Sequence, residues 1–244
     1  MIVATLVRSF RRSAIWVFVL CMPLLVSCGK STTASIEAVC STLSSPCLQG
    51  KAIVQMSTNR GRITLEVDGE ASPVTAGNFV DLVKRGVYNG TVFHRVVKEP
   101  EPFVVQGGDP ASSDPKNLKK NYGEGGFIDP ASGQARFIPL EVKLNTEDQP
   151  RYSQLINDPS DLLQLQLSHQ RGSLAMARSQ APDSASAQFY IALRALPQLD
   201  GRYAVFGRVI DGLDVVDEIQ QGDRLVRATL VMSRQSPSAE APQP

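Results

Sequence analysis

Alternating apolar and polar residues recur in short runs along the chain from about Lys51 onward. The segment AIVQMSTNRGRITLEV places Ile63 and Val67 on one side of an extended chain and Thr64 and Glu66 on the other, because strand side chains alternate between the two faces. An Asn-Arg-Gly turn separates the two halves of the segment. The pattern therefore predicts a β-hairpin at the start of the folded region.

Two helices interrupt a series of strands. SPVTAGNFVDLVKRG offers Ser72 as a cap, Pro73 at the first helical position and Gly86 at the end, which predicts a helix over about 73–85. A second helix is predicted over about 213–220. Further strands are predicted over 91–97, 103–106, 172–178, 188–193, 203–210 and 225–232. Many short strands with two isolated helices favour a mainly β fold, a closed or nearly closed antiparallel barrel capped by helices.

The N-terminal residues have the pattern of an export signal. Three arginines precede an uncharged apolar run from Ala14 to Ser27, and this run is shorter than the ~20 residues that a membrane-spanning helix needs. The LVSC ending at Cys28 resembles the lipobox of bacterial lipoproteins, in which the signal is cut before a lipid-bearing cysteine. We expect a lipoprotein signal peptide over 1–27 and a lipid on Cys28. An ordinary secretory signal with an incidental cysteine, or a short retained anchor, is the alternative.

The residues after the signal are predicted to connect this anchor to the folded domain. Residues 28–50 are rich in Ser, Thr and Ala and are predicted to be a tether, and residues 234–244 a disordered tail. Gly29 stands where many Gram-negative lipoproteins carry the aspartate that retains them in the inner membrane. We therefore expect a lipid-anchored protein that faces the periplasm, with the outer membrane slightly favoured.

Composition, charge and cysteine spacing exclude several kinds of site. The net charge is +1 without a run of like charges, which argues against a nucleic-acid partner. Four cysteines without a CxxC spacing and two separated histidines predict no metal site. Export would place Cys40 and Cys47 in an oxidising compartment, and the sequence leaves a disulfide and two free thiols equally open. No G-x-S-x-G or H-E-x-x-H motif supports a hydrolase.

Five sequence blocks carry the strongest functional signal. In order, they are FHRVV, FVVQGGD, GSLAMARS, SAQFYIAL and LDGRYAVFGRV. Their order and spacing resemble the cyclophilins, which are peptidyl-prolyl cis/trans isomerases, in their bacterial and cyanobacterial form, and the resemblance covers about residues 51–233. It implies a closed eight-stranded antiparallel β-barrel with two capping helices and a groove on its outer surface. It also implies proline-containing polypeptide substrates and no cofactor, and we expect a monomer.

The chemistry of X-Pro rotation needs little acid-base equipment. Amide resonance sets a barrier of ~18–20 kcal/mol, and no bond is made or broken. A catalyst need only favour the twisted state, in which the proline nitrogen recovers its lone pair. The resemblance assigns Arg95 as the donor aimed at that nitrogen.

The resemblance also assigns substrate-binding residues. The pocket for the proline ring is assigned to Phe103, Val104, Tyr190, Leu199 and Tyr203. The polar groove residues are Gln106 and Gln188, and the strand whose backbone pairs with an extended substrate holds Ala177, Arg178 and Ser179. The side chain of Arg178 is expected to matter less than its N–H and C=O groups.

Three polar residues near these blocks have other expected roles. His94 is included among the substrate-binding residues, although strand alternation places it on the face opposite Arg95. His169 is expected to be a core or turn residue, and Asp109 to cap a turn. Longer loops at 96–102 and 110–167 keep an alternative open, a non-catalytic cyclophilin-fold protein that binds Pro-containing segments or an assembly partner. The leading hypothesis is an isomerase that acts on exported, folding chains.

Overall fold

The computed structural model describes residues 36–42, 46–117 and 119–234. Within these residues, an antiparallel sheet of eight strands dominates the fold. Its strands are β1 (Lys51–Thr58), β2 (Arg62–Asp68), β3 (Arg95–Val97), β4 (Val104–Gly107), β7 (Ser173–Met176), β8 (Phe189–Ala192), β9 (Val205–Asp211) and β10 (Leu225–Arg234). They lie in the order β10-β1-β2-β9-β7-β8-β4-β3. A separate pair consists of β5 (Glu141–Val142) and β6 (Arg151–Tyr152).

The described helices are short. They are α1 (Ile36–Thr42), α2 (Pro73–Lys84), α3 (Pro159–Leu162) and α4 (Leu213–Glu218), with 3₁₀ turns at Pro110–Ser113, Lys119–Asn121 and Pro197–Leu199. The predicted helices at 73–85 and 213–220 are confirmed as α2 and α4. The sequence pattern did not indicate α1, and it left the stretch from Ser160 onward, where α3 lies, open between helix and strand. None of the helices within the described ranges is long and apolar enough to cross a membrane.

The curled antiparallel sheet is confirmed, but its complete closure is not. Strands β3 and β10 form no continuous ladder with each other, and an isolated bridge joins Val92 to Arg224. Four backbone hydrogen bonds of 2.8 to 3.0 Å lie beside it. Gly90 N–H donates to Leu225 O and Phe93 N–H to Asp223 O, while Leu225 N–H donates to Thr91 O and Gly222 N–H to Phe93 O. The contact between the edges is thus made by residues 90–93, which precede β3, and residues 222–225, which lead into β10.

Successive residues of β8 divide between two hydrophobic clusters. Phe189 and Ile191 belong to the large cluster beneath α2, where Phe79 contacts Phe189 edge-on at 5.6 Å between ring centroids. Tyr190 and Ala192 point the other way and belong to a smaller cluster on the outer face, as strand alternation requires. This outer cluster forms the floor of the candidate site.

Ordered contacts begin within the segment predicted as a tether. Leu48 N–H donates to Pro73 O over 2.9 Å, and a Cβ at Gly77 would lie 2.0 Å from Pro46 O, so the backbone at 46–48 lies directly against α2. A disulfide joins Cys40 to Cys47, the pairing that the sequence left open. The contacts of residues 46–48 with α2 depend on the close approach of their backbone to Gly77. A local sequence pattern does not reveal such an approach.

The remaining N- and C-terminal predictions lie outside the described residues. They are the signal peptide over 1–27, the lipid site at Cys28 and the tail over 234–244, of which the structure describes only Arg234, the last residue of β10.

The long segment before β7 builds a small cluster beside the outer face. Leu140, Val142 and Ile156 pack there with Ala204, and Ile156 N–H donates to Gly201 O over 3.0 Å. The segment therefore supports the loop at 196–204, which carries two of the predicted pocket residues.

Candidate active site

Four residues form a row across four neighbouring strands. Arg95 of β3 pairs with Gln106 of β4, Gln106 pairs with Tyr190 of β8, and Tyr190 pairs with Ala175 of β7. Directly opposite residues in antiparallel strands project to the same face of the sheet. The sheet therefore places the cation, the amide and the aromatic ring side by side on its outer surface.

A pocket of about 230 Å³ lies along this row, and we call it the Arg95 pocket. The guanidinium of Arg95 borders it, 5.5 Å from the centroid of the Phe103 ring. The nine lining residues were all predicted from the sequence: Arg95, Phe103, Val104, Gln106, Ala177, Arg178, Tyr190, Leu199 and Tyr203. The pocket thus combines one cation with a mainly apolar wall, on a scale that suits a five-membered ring.

A chain of amides connects Arg95 to a neighbouring loop. Arg95 Nη1 donates to Gln106 Oε1 over 3.5 Å, and Gln106 Nε2 donates to Gln188 Oε1 over 3.2 Å. Gln188 Nε2 in turn donates to the carbonyl oxygens of Gly123 and Gly125 over 2.8 and 2.7 Å. Because each amide has one donor end and one acceptor end, the loop carbonyls fix both glutamines so that an oxygen faces the guanidinium.

This loop, residues 123–126, is the Gly loop, and it lines a second pocket of about 700 Å³. The second pocket shares Gln106, Ala177 and Arg178 with the Arg95 pocket. The predicted residues Ser179 and Gln188 line the second pocket but not the Arg95 pocket. Its outer wall includes Ile128 and Phe137, with 62% and 56% of their surfaces exposed. Ser179 and Gln188 therefore belong to an adjoining pocket and not to the proline-sized one.

Asp109 anchors the Gly loop. Its Oδ1 accepts from Ala111 N–H over 2.9 Å, which caps the turn as predicted. Its Oδ2 accepts from Gly123 N–H over 2.6 Å and from Gly125 N–H over 3.3 Å. Asp109 is fully buried, so these charge-assisted bonds hold the loop firmly.

His94 does not line the Arg95 pocket, and its assignment as a substrate-binding residue stays a prediction. Its ring lies behind the Gly loop, where a Cβ at Gly123 would be 2.9 Å from His94 Cδ2. Burial lowers the pKa of His94, although the nearby Asp109 partly opposes this effect. Neighbouring residues of a strand face opposite ways, so exposing Arg95 to the groove turns His94 inward.

The side chain of Arg178 makes several contacts at the pocket, although it was expected to matter less than the backbone groups of this residue. Nε and Nη2 donate to Arg202 O over 2.9 and 2.7 Å, and Nη1 donates to Ser179 O and Gln180 O over 2.8 and 3.0 Å. The guanidinium carbon also lies 4.7 Å from the centroid of the Tyr203 ring. A planar group with five N–H donors suits this arrangement. The guanidinium thus holds the Tyr203 ring, which lines the pocket, in place.

Comparison with known proteins identifies the family. A family model described as "Cyclophilin type peptidyl-prolyl cis-trans isomerase/CLD" matches residues 53–235. The chain belongs to this family of enzymes. The resemblance in sequence blocks is therefore confirmed at the level of the cyclophilin family and fold.

Relatives of this cyclophilin come from several groups of organisms. A putative thylakoid lumen peptidyl-prolyl cis-trans isomerase from Synechocystis sp. is 37% identical over 196 residues, which cover 76% of this chain and 48% of the relative, so the chain spans about half of that protein. A peptidyl-prolyl cis-trans isomerase from Acinetobacter baylyi is 35% identical over 172 residues, covering 68% of this chain and 71% of the relative. The crystal structure of a Cryptosporidium parvum cyclophilin in the presence of the dipeptide Ala-Pro aligns with a TM-score of 0.54 at 25% identity, covering 74% of this chain and 99% of that one.

Sequence reasoning missed part of the site of this cyclophilin. The long loop at 110–167 supplies the Gly loop, Ile128 and Phe137 to the second pocket, whereas the loop at 96–102 lines neither pocket. The run Gly-Glu-Gly-Gly was a usable signal, because several glycines together often mark a close approach of backbone to a ligand. Nothing in local periodicity pointed to Ile128 or Phe137.

Proposed function

We propose that this chain accelerates cis/trans rotation about X-Pro peptide bonds, and that Arg95 is its catalytic residue. The single observation that carries this proposal is the Arg95 pocket, in which one guanidinium borders a proline-sized, mainly apolar cavity. Acid-base chemistry is not required, because the reaction moves no proton and breaks no bond.

The proposed mechanism is differential binding of the twisted bond. The proline ring enters the Arg95 pocket between Phe103 and Tyr190, and each buried methylene contributes about 0.8 kcal/mol. As the bond twists, the proline nitrogen becomes pyramidal and gains a lone pair, to which Arg95 donates. A hydrogen bond that forms only in the twisted state lowers the barrier without tightening ground-state binding.

The substrate backbone is expected to run past the strand that continues from β7. Ala177 and Arg178 border both pockets, so a chain bound there would place its proline in one pocket and a preceding residue in the other. Pairing of an extended peptide with strand backbone supplies affinity that depends little on sequence. This arrangement suits polypeptides of varied sequence.

The proposed clients are folding chains outside the cytoplasm, and a lipid on Cys28 attaches the enzyme to the membrane. The apolar run before Cys28 supports this proposal. The Synechocystis relative is named as a thylakoid lumen protein, which also points to export. The Cys40–Cys47 disulfide is compatible with an oxidising compartment.

A binding function without useful turnover is the second candidate. The observation that favours it is the second pocket, which at about 700 Å³ is larger than the Arg95 pocket at about 230 Å³. Affinity for Pro-containing segments would then depend on the Gly loop, and Arg95 would contribute little to the rate.

The two candidates are separated by one experiment on the purified chain. Cis/trans exchange of a proline tetrapeptide is measured by NMR for wild type, Arg95→Ala and Arg95→Lys, with the peptide Kd measured on the same samples. Arg95→Ala should slow exchange in the saturated complex by about 10²- to 10³-fold and change Kd by less than about threefold. Arg208→Ala is the matched control, because Arg208 is an exposed strand arginine paired with Glu66 at 3.2 Å. Equal exchange rates for Arg95→Ala and wild type would reject the catalytic role.

A further inference from the structure

His169 is buried directly beneath the Arg95 pocket, with 1% of its surface exposed. Its backbone N–H and its ring Nδ1 both lie close to Asp200 Oδ1, at 2.8 and 2.7 Å. Its ring Nε2 lies 2.8 Å from the hydroxyl of Tyr190, and its carbonyl accepts from Leu196 N–H over 2.9 Å. Every polar group of this residue therefore has a partner.

These partners belong to two separate walls of the pocket. Tyr190 is the floor, on β8. Leu196 and Asp200 stand on either side of the 3₁₀ turn Pro197–Leu199, which carries the lining residue Leu199. One buried histidine, 21 positions before Tyr190 and 31 before Asp200 in the chain, thus joins the floor to the loop at 196–203.

The hydrogen-bond chemistry fixes the direction of the Tyr190 hydroxyl. A carboxylate only accepts, so Nδ1 donates to Asp200, and a ring that carries its one proton on Nδ1 offers Nε2 as an acceptor. Burial, with smaller contributions from Tyr203 and Asp200, raises the pKa of Tyr190 well above its ordinary value, so the hydroxyl keeps the proton that it donates to Nε2. The hydroxyl is therefore directed toward His169.

The aromatic rings around Tyr190 complete the arrangement. The imidazole of His169 is nearly parallel to the Tyr190 ring, at 11° with 5.9 Å between centroids. The Tyr203 ring meets Tyr190 edge-on, at 83° and 5.9 Å. With its hydroxyl engaged below, Tyr190 presents an apolar ring to the pocket, held by rings on two sides.

We propose that His169 and Asp200 are positioning residues that hold Tyr190 and the loop at 196–203 at a fixed separation, and thereby set the affinity of the Arg95 pocket for a proline ring. The inference rests on the proposed function of that pocket but concerns binding and not the twisting step. Without His169, the Tyr190 hydroxyl loses its buried partner and the loop loses its link to the floor. A buried unpaired hydroxyl is unfavourable, so the Tyr190 side chain would rearrange into the space that the proline ring needs.

The test measures binding and turnover separately on the full chain. A proline tetrapeptide is the probe, its Kd is obtained by NMR titration, and its exchange rate is measured at saturation. His169→Phe keeps a flat ring but removes both nitrogens, and we expect it to raise Kd by 5- to 20-fold while the saturated exchange rate changes by less than threefold. Asp200→Ala should act in the same way. Asp200→Asn keeps an acceptor oxygen and should restore Kd to within threefold of wild type.

Two controls separate positioning from general loss of stability. Tyr88→Phe removes another fully buried tyrosine hydroxyl, which donates to Ala187 O over 2.9 Å, and it should lower thermal stability without changing Kd. Tyr190→Phe removes the hydroxyl that contacts His169 Nε2. Adding His169→Phe to Tyr190→Phe should therefore raise Kd less than His169→Phe does in the wild-type protein. In ¹⁵N spectra, the His169 ring should show protonated Nδ1 and unprotonated Nε2, and Asp200→Ala should abolish this preference.

The outcomes separate this inference from the proposed function. An unchanged Kd in folded His169→Phe or Asp200→Ala would overturn the inference, and so would an equal rise in Kd for Tyr88→Phe. If His169→Phe does not fold, the Kd of Asp200→Ala is compared with that of Asp200→Asn, and equal values for these two variants would overturn the inference. Full turnover in Arg95→Ala would reject the role of Arg95 and leave the Kd comparison intact.

Discussion

Gln106 Nε2 donates to Gln188 Oε1 over 3.2 Å, and this bond links the guanidinium of Arg95 to the carbonyls of the Gly loop. Gln106 of β4 and Gln188, which directly precedes β8, therefore do more than border the groove. They transmit the position of a loop, which Asp109 anchors, to the catalytic candidate.

Replacing Gln188 with leucine should reduce turnover without preventing folding. The change removes the fixed partner of Gln106 and leaves the carbonyls of Gly123 and Gly125 without their donor, so Arg95 loses its orientation. We expect a 5- to 30-fold lower exchange rate at saturation, corresponding to about 1 to 2 kcal/mol for a broken hydrogen-bond chain. Gln55→Leu on β1 is the control and should leave the rate unchanged. A wild-type rate for Gln188→Leu would show that the amide chain does not orient Arg95.

Replacing Arg178 with lysine should weaken peptide binding. Lysine keeps the charge, but it lacks the planar set of donors that reaches the carbonyls of Arg202, Ser179 and Gln180. Tyr203 would lose the group stacked on its ring, which contributes roughly 0.5 to 1 kcal/mol. We expect KM to rise 3- to 10-fold with a small change in kcat, measured in a peptide isomerisation assay. Unaltered KM would support the expectation that the side chain of Arg178 matters less than its backbone groups.

Replacing Gly125 with alanine should release the Gly loop from its anchor. The new Cβ would lie 2.2 Å from Asp109 Oδ1, and that carboxylate is buried and held by three N–H donors. We expect a loss of about 1 to 3 kcal/mol in the free energy of unfolding, measured by urea denaturation, together with reduced turnover.

Gly133→Ala provides the comparison for this variant. Gly133 has φ +68° but no atom within 4 Å of an added Cβ, so alanine there costs only about 1 kcal/mol of backbone strain. If the two variants lost equal stability and activity, the contact with Asp109 would not explain the effect at Gly125.

Acid should destabilise the fold partly through Asp223. Burial alone would raise the pKa of Asp223, but hydrogen bonds from Arg60, Asn59 and the Gln220 N–H outweigh burial and lower the pKa to about 2. A lowered carboxyl pKa stabilises the native state above the ordinary value near 4, and this contribution disappears as the pH falls from about 4 to 2.

The Asp223→Asn variant tests this linkage. At pH 7 it should lose about 1 to 2 kcal/mol of unfolding free energy, after allowance for solvent screening. Its stability should then fall less steeply than that of wild type between pH 4 and 2, as measured by urea denaturation at each pH. Parallel curves for the two proteins would assign the acid sensitivity to other groups.

The sequence predicted those parts of the fold that depend on local periodicity. Helix α2 has Pro73 at its start and a continuous apolar stripe, and its bounds at 73–84 lie within one residue of the prediction. The residues of the Arg95 pocket were assigned from ordered family blocks, and the fold brings nine of the assigned residues, Arg95 among them, to one cavity. Alternation also predicted that His94 and Arg95 would face opposite ways.

Other parts of the site depend on contacts between distant segments. The anchoring of the Gly loop joins residues 14 and 16 positions apart in the chain, and the bond between His169 and Asp200 spans 31 positions. No local pattern encodes such pairs. The role of the Arg178 side chain was missed for the same reason, because the loop carbonyl of Arg202 becomes its partner only after the chain has folded.

The two adjoining pockets share Gln106, Ala177 and Arg178, and this shared wall has a consequence for inhibitor design. Two weak fragments, a pyrrolidine analogue in one cavity and a flat apolar group beside Phe137 in the other, could be joined across it by a short linker. Linking converts the second binding event into an intramolecular one and multiplies avidity. Selectivity among related isomerases would then come from the second fragment, since it would contact the long loop that carries Ile128 and Phe137.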